Sequence, residues 1–192
     1  MTPSLPSLLL LLLLALWPAP YLAARAGTGA SDHGFTHIHL YMHETFAGPN
    51  ATTLTAVPSP LGADATFGAI GVLDDELRDG PDARNSSLVG RYQGLFLNAG
   101  LVSPPGAQSA INLVFTAGER RGSTLAMLGP VLSFTSAIER AVVGGTGAFR
   151  MARGYCVMTR AGSPTPESLV YESKSDQWVS GTCFNGDTAR TI

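Results

Sequence analysis

Two charged side chains stand where an apolar face should continue. From Thr36 to Phe46 the residues alternate, with Ile38, Leu40, Met42 and Glu44 on one face and His37, His39, Tyr41 and His43 on the other. Further along, Phe149, Met151, Arg153, Tyr155 and Val157 share one face of another alternating run. A carboxylate or guanidinium turned into an apolar interior costs several kcal/mol unless it is paired, neutralised or hydrated. A closed barrel of about eight strands has room inside for one small ligand. Glu44 and Arg153 would there orient a substrate, with chemistry limited to proton transfer and hydrogen bonding to an oxygen that gains charge. The same pattern also fits a buried ion pair, or a face inverted by a bulge.

Other chemistries fail on spacing. His37, His39 and His43 share a strand face, but no further ligand lies nearby to complete a zinc site, so a solvated polar face is expected and no metal. Gly144-Gly145-Thr146-Gly147 is followed by neither Gly-Lys-Ser/Thr nor a helix-forming run, and reads as a turn between strands. Ser123, Ser133 and Ser136 lack the Gly-x-Ser-x-Gly surroundings of a hydrolase elbow. Asp74 and Asp75 are adjacent, so in a strand they point to opposite faces and cannot pair with each other.

The elements that must position these groups are short strands between Gly/Pro turns: Thr36 to Phe46, Phe67 to Asp75, Leu88 to Asn98, Ala110 to Ala117, Thr124 to Leu128, Ile138 to Val143 and Phe149 to Met158. The chain has 192 residues, 45% hydrophobic and 14% charged, with 22 Gly and 13 Pro. That length suits one domain, and the strand pattern an all-β sandwich or barrel. Twelve Lys+Arg against fourteen Asp+Glu, with Lys174 the single lysine, exclude a nucleic-acid binder working by bulk charge and a polybasic membrane patch.

Leu8 to Leu14 are seven consecutive leucines, followed by Pro18, Pro20 and the small-residue site Ala24-Arg25-Ala26. Residues 1–26 therefore read as a secretory signal peptide, too short in its apolar run to span a bilayer. Residues 27–35 read as a flexible segment. In an exported chain Asn50-Ala51-Thr52 and Asn85-Ser86-Ser87 are glycosylation acceptors. Cys156 and Cys183 permit one disulfide, and Cys156 reads equally as a small core hydrophobe.

A series of ordered blocks resembles the plant dirigent proteins: Tyr41-x-His43-Glu44, Gly48-Pro49-Asn50-Ala51-Thr52, Phe67-Gly68, Val72-Leu73-Asp74-Asp75 and Val89-Gly90-Arg91-Tyr92-Gln93-Gly94. Asn112-Leu113-Val114-Phe115-Thr116 and Gly122-Ser123-Thr124-Leu125 continue it, and the run from Val142 through Gly144-Gly145-Thr146-Gly147-Ala148-Phe149-Arg150-Met151-Ala152-Arg153-Gly154-Tyr155 is the longest match. The resemblance runs from about Thr36 to Tyr171. It implies an eight-stranded antiparallel β-barrel over residues 36–171, assembled as a homodimer or homotrimer and secreted to the apoplast, with no cofactor. It further implies stereoselective coupling of monolignol-derived phenoxy radicals, such as those from coniferyl alcohol, towards lignans, with oxidation left to a separate laccase or peroxidase. Some relatives instead cyclise quinone-methide phenolics, and a non-catalytic barrel binding a small ligand or cell-wall polymer is the remaining alternative.

By motif, Glu44 falls at the position of the family's pocket carboxylate, Arg153 at that of its pocket arginine and Glu139 at that of a second acid. Phe96 and Asn98 stand where some lignan-forming members carry tyrosines, and with Phe149 and Met151 complete the expected substrate-binding set. Ser168-Leu169-Val170-Tyr171 begins like the family's closing strand. Residues 172–192 are expected to form an atypical, disordered tail, leaving an open barrel edge and reduced folding or activity.

Overall fold

The computed structural model describes residues 35–62, 66–101 and 106–178. The signal-peptide reading, Cys183 and the tail beyond Trp178 lie outside them. Nine strands form one antiparallel sheet: β1 (Phe35–Thr45), β2 (Thr53–Val57), β3 (Ile70–Arg78), β4 (Leu88–Asn98), β5 (Ala107–Phe115), β6 (Thr124–Val131), β7 (Ile138–Thr146), β8 (Arg153–Gly162) and β9 (Ser168–Trp178). The order is β1-β9-β8-β7-β6-β5-β4-β3-β2, and β3 also pairs with β1. That last pairing closes eight strands into a barrel and leaves β2 as an extra strand. The eight-stranded fold read from the sequence is therefore the observed one.

Strict alternation builds the wall. In β5, Ala107, Ser109, Ile111, Leu113 and Phe115 are buried while Gln108, Ala110 and Asn112 are exposed. In β1, Ile38, Leu40 and Met42 are buried, with Glu44 next on the same side. Strand β3 divides its inner edge between two partners. Its first half pairs with β2, Thr53 opposite Leu73, and its second half with β1, Tyr41 opposite Arg78. β2 thus fills the wedge where β1 and β3 diverge, and its exposed residues give no alternation to read from sequence.

One end of the barrel is plugged. The 3-10 turn Gly147–Phe149 tucks Phe149 under the lower rim, its ring 5.2 Å from that of Phe115 and 5.9 Å from the Arg120 guanidinium. Leu77, Leu113, Leu125 and Met127 fill the space above it. The opposite end, ringed by the turns after β1, β6 and β8, is not filled by side chains.

The closing strand corrects the expectation of a broken edge. β9 continues seven residues beyond Tyr171 to Trp178 and pairs with β1 along its whole length, from Phe35 opposite Trp178 to Thr45 opposite Ser168. On its other side it pairs with β8 from Arg153 to Gly162. The alternation is present but polar in both directions: Ser173, Ser175 and Gln177 are buried, while Glu172, Lys174 and Asp176 face outward. Two of the outward acids clip the seam to β1, Glu172 to His39 at 2.8 Å and Asp176 to His37, and Tyr155 donates to Asp176 at 2.7 Å. The barrel domain therefore extends to Trp178, not Tyr171.

Gln177 is fully buried, and neither polar atom of its amide has a hydrogen-bond partner among the described residues. Leaving such groups unpaired costs about 1–3 kcal/mol, whereas an apolar side chain of similar volume carries no such cost. Gln177→Leu is expected to raise stability by roughly that amount in urea denaturation. A loss of stability would show that the amide is satisfied in solution.

Candidate functional site

The unfilled upper half of the barrel is a cavity of about 140 Å3, lined mainly by apolar groups that include Met42, Leu73, Phe96, Ile111, Ile138 and Met158. Seven polar or ionisable groups line it: Glu44, Thr53, Asp75, Tyr92, Ser109, Arg140 and Tyr171. Each is supplied by a different strand.

Asp75 is placed by the wedge that β2 fills. The backbone N–H of Asp74 donates to the Thr52 carbonyl at 2.9 Å, which brings the start of β2 alongside β3. Asp74 then points outward to Arg91 at 2.7 Å, and Asp75 inward, where the Thr52 hydroxyl donates to its Oδ1. Asp75 Oδ2 is buried with no partner among the described residues. Burial, above all, pushes the Asp75 carboxyl up to about 7, the Thr52 bond opposes this, and the charge of Glu44 adds to it. Glu44 lines the same cavity and is itself raised by burial. The two acids form an interacting pair that retains a proton at mildly acid pH.

Arg140 is the pocket's guanidinium. It is 6% exposed, and Nε donates to Ser109 Oγ at 2.7 Å while Nη1 lies 2.9 Å from Met158 Sδ. Ser109 passes the chain on by donating to the Gly129 carbonyl at 2.9 Å. Gly129 packs so closely that a Cβ there would come within 3.3 Å of the Arg140 Cα. Among the described residues no carboxylate forms an ion pair with Arg140. Its charge is thus held by neutral acceptors and stays available to an oxygen in the cavity. Tyr92 also reaches Met158 Sδ, at 3.3 Å; burial raises its phenol well above the ordinary value and raises that of Tyr171 as well.

Of the residues expected from sequence, Glu44 and Phe96 meet in the cavity. Arg153 does not. It is exposed on the outer wall, and its Nη1 donates to the Ala152 carbonyl at 2.7 Å. The alternation was carried through Phe149 and Met151, but that stretch is a 3-10 turn followed by Met151 at a φ of 65°, and β8 begins only at Arg153. Parity is reset, so Cys156 and Met158 point inward. Glu139 is likewise outward, one residue out of phase with Arg140, and Met151 is exposed. Phe149 belongs to the floor plug, and Asn98 serves the rim through backbone bonds with Gly68 and Ala69. Asp75 and Arg140 were missed. The signal for Arg140 was present in the alternation Ile138, Arg140, Val142 of β7, and that for Asp75 in its phase with Leu73 and Leu77.

The remaining sequence readings can be placed. Asn50 and Asn85 are exposed in turns at opposite ends of the barrel. Cys156 is fully buried in the lumen, its Sγ 3.2 Å from Ser173 Oγ. Among the described residues no three His, Cys, Asp or Glu side chains converge on a metal position.

The fold is shared with known proteins. The family described as Dirigent-like protein matches residues 35–174. The chain is 37% identical over 155 residues to Dirigent protein 1 of Arabidopsis thaliana, covering 80% of this chain and 84% of that one. It is also 37% identical over 149 residues to Pterocarpan synthase 1 of Glycine max, covering 75% and 79% of the two chains. The solved pterocarpan synthase dirigent protein GePTS1 superposes with a TM-score of 0.67 at 31% identity, over 76% of this chain and 85% of that one. The chain belongs to the dirigent family.

Two outcomes follow from the cavity. The unfolded carboxyl of Asp75 ionises near 3.8 and the folded one near 7, so the unfolded state loses its proton first as pH rises. Stability is expected to fall by a few kcal/mol between about pH 4 and pH 7, and Asp75→Asn is expected to flatten that slope in urea denaturation series. An unchanged slope would mean that Asp75 titrates like an exposed acid. Separately, a Cβ on Gly71 would lie 1.9 Å from the Phe96 ring. Gly71→Ala is expected to cost about 1–3 kcal/mol by overpacking, and the double variant with Phe96→Ala should lose less than the sum of the singles.

Proposed function

We propose that the cavity binds a phenol-derived reactive intermediate and directs the stereochemistry of the bond it forms. The observation that carries this reading is the pairing, in one apolar cavity, of Asp75, a buried carboxyl with one oxygen unpartnered among the described residues, and Arg140, a buried guanidinium with no counter-ion among them. Apolar walls hold an aromatic ring, Arg140 donates to its phenolic oxygen, and the acid pair faces a second oxygen. In one form the occupant is a monolignol-derived phenoxy radical, as from coniferyl alcohol, made by a separate laccase or peroxidase. The barrel then only presents one face of the radical to its partner.

A specific observation favours a second form, ring closure through a quinone methide. Radical coupling needs no acid, whereas Asp75 and Glu44 hold a proton in the cavity. Transfer of that proton to a benzylic hydroxyl lets it leave as water, and the phenol gives up its own proton to the carboxylate left behind, which restores the acid. The quinone-methide oxygen that results accepts hydrogen bonds from Arg140. An internal hydroxyl then attacks the exocyclic carbon, and its proton restores the phenol. The sum is loss of one water and formation of one C–O bond, without redox change. The names of the pterocarpan synthase relatives fit a cyclisation of this kind.

Chiral chromatography separates the two forms. Coniferyl alcohol is supplied with and without laccase, and a phenol bearing a benzylic alcohol and an internal hydroxyl is supplied without oxidant. Ring closure predicts turnover without oxidant that drops about 100-fold in Asp75→Asn and Arg140→Leu. Radical direction predicts enantiomeric excess only with laccase. Racemic product in every condition would contradict both.

A further inference from the structure

We propose that Met158 is a positioning residue for the cavity. Its thioether takes the proton of the Tyr92 hydroxyl and one N–H of Arg140, and so sets an acceptor oxygen beside a donor nitrogen, a pair that selects a ligand hydroxyl over its methyl ether. The inference rests on the phenolic reading above and adds the residue that makes the cavity selective for a free phenol.

Strand order sets the geometry. In the closed ring of eight strands β4 and β8 stand opposite one another, so the 3.3 Å bond from the Tyr92 hydroxyl to Met158 Sδ crosses the lumen. From β7, beside β8, Arg140 Nη1 donates to the same sulfur at 2.9 Å. All three side chains line the cavity, and Tyr92 and Met158 are only 1% and 2% exposed.

The chemistry of sulfur then fixes the polarity. A thioether carries no hydrogen and can only accept. Tyr92 has a single hydroxyl proton, and with that proton on the sulfur its oxygen is left as an acceptor alone. Arg140 is the reverse, since a guanidinium has only donors. Its Nε is anchored on Ser109 and its Nη1 on Met158, which fixes the plane of the group and leaves Nη2 without a protein acceptor among the described residues. Because a thioether is a weak acceptor, it orients the guanidinium without neutralising it as a carboxylate would. A ligand hydroxyl can donate to Tyr92 and accept from Arg140 at once. A methyl ether can only accept, and leaves the buried Tyr92 oxygen unpaired, which costs binding. A phenol enters with its proton and a phenoxy radical without it, so the pair also suits the ring-closing form.

The test compares 4-hydroxybenzyl alcohol with 4-methoxybenzyl alcohol by calorimetry on the wild-type chain, Met158→Leu and Tyr92→Phe. The wild type is expected to bind the phenol about tenfold more tightly than the ether. Met158→Leu keeps the volume and removes the sulfur. The Tyr92 hydroxyl is then free to turn and donate to the ether, and the ratio of affinities is expected to fall near one. Tyr92→Phe removes the acceptor oxygen and is expected to do the same. A wild type that binds both compounds equally, or a preference for the phenol that survives either variant, overturns the positioning role and leaves the phenolic reading standing. A surviving preference would mean that the cavity rejects the methyl group by size. Failure of the wild type to bind either compound overturns both readings. Where Met158→Leu does not fold, the carbon-13 methyl resonance of Met158, assigned by its loss in Met158→Ile, decides instead. It is expected to move in Tyr92→Phe, and a resonance unmoved there contradicts the proposal.

Discussion

Two carboxyls and a guanidinium sit inside an apolar cylinder, and the site is defined by how little they neutralise one another. A buried carboxylate and guanidinium in contact would stabilise each other and leave nothing for a ligand. Here Arg140 is held by a hydroxyl and a thioether, Asp75 by a single threonine hydroxyl, and Glu44 raises Asp75 further. The cost of that arrangement is met by the rest of the fold. Eight strands paired edge to edge leave no part of the wall free to relax, and the packed lower half, sealed by Phe149, supplies apolar burial. The cavity exists because the upper half is left unfilled around charges that the wall cannot pull together.

The geometry follows from strand parity and from one irregularity. Each pocket group comes from a different strand, so no local motif contains the site. β2 is the irregular element. By occupying the wedge between β1 and β3 it brings Thr52 to Asp75 and keeps Glu44, at the end of β1, on the same side of the cavity.

Much of the fold was legible in the sequence. Seven strands stood out by alternation and turn residues, and Glu44 was placed inward by its phase with Met42. What escaped did so for physical reasons. Arg153 was assigned to the interior because alternation was continued across a 3-10 turn, where period two does not apply. Arg140 is a single charge in phase with the apolar Ile138 and Val142 that flank it. Asp75 has a neighbour that points away, and the acid that shares its cavity lies on β1, far off in sequence. The closing strand was cut at Tyr171 because its inner face turns from apolar to Ser173, Ser175 and Gln177, a pattern that hydrophobicity alone reads as coil. β2 escaped as a short edge strand, exposed apart from Thr53.

The account rests on a proton held by Asp75 in the same cavity as an uncompensated Arg140. Carbon-13 NMR of the aspartate side-chain carboxyls, with Asp75 assigned by its loss in Asp75→Asn, follows that proton directly as pH is varied. A midpoint near 7 is the predicted result. A midpoint near 4 would mean that Asp75 is an ordinary ionised carboxylate, and an acid-assisted reaction in this barrel would have no proton to use.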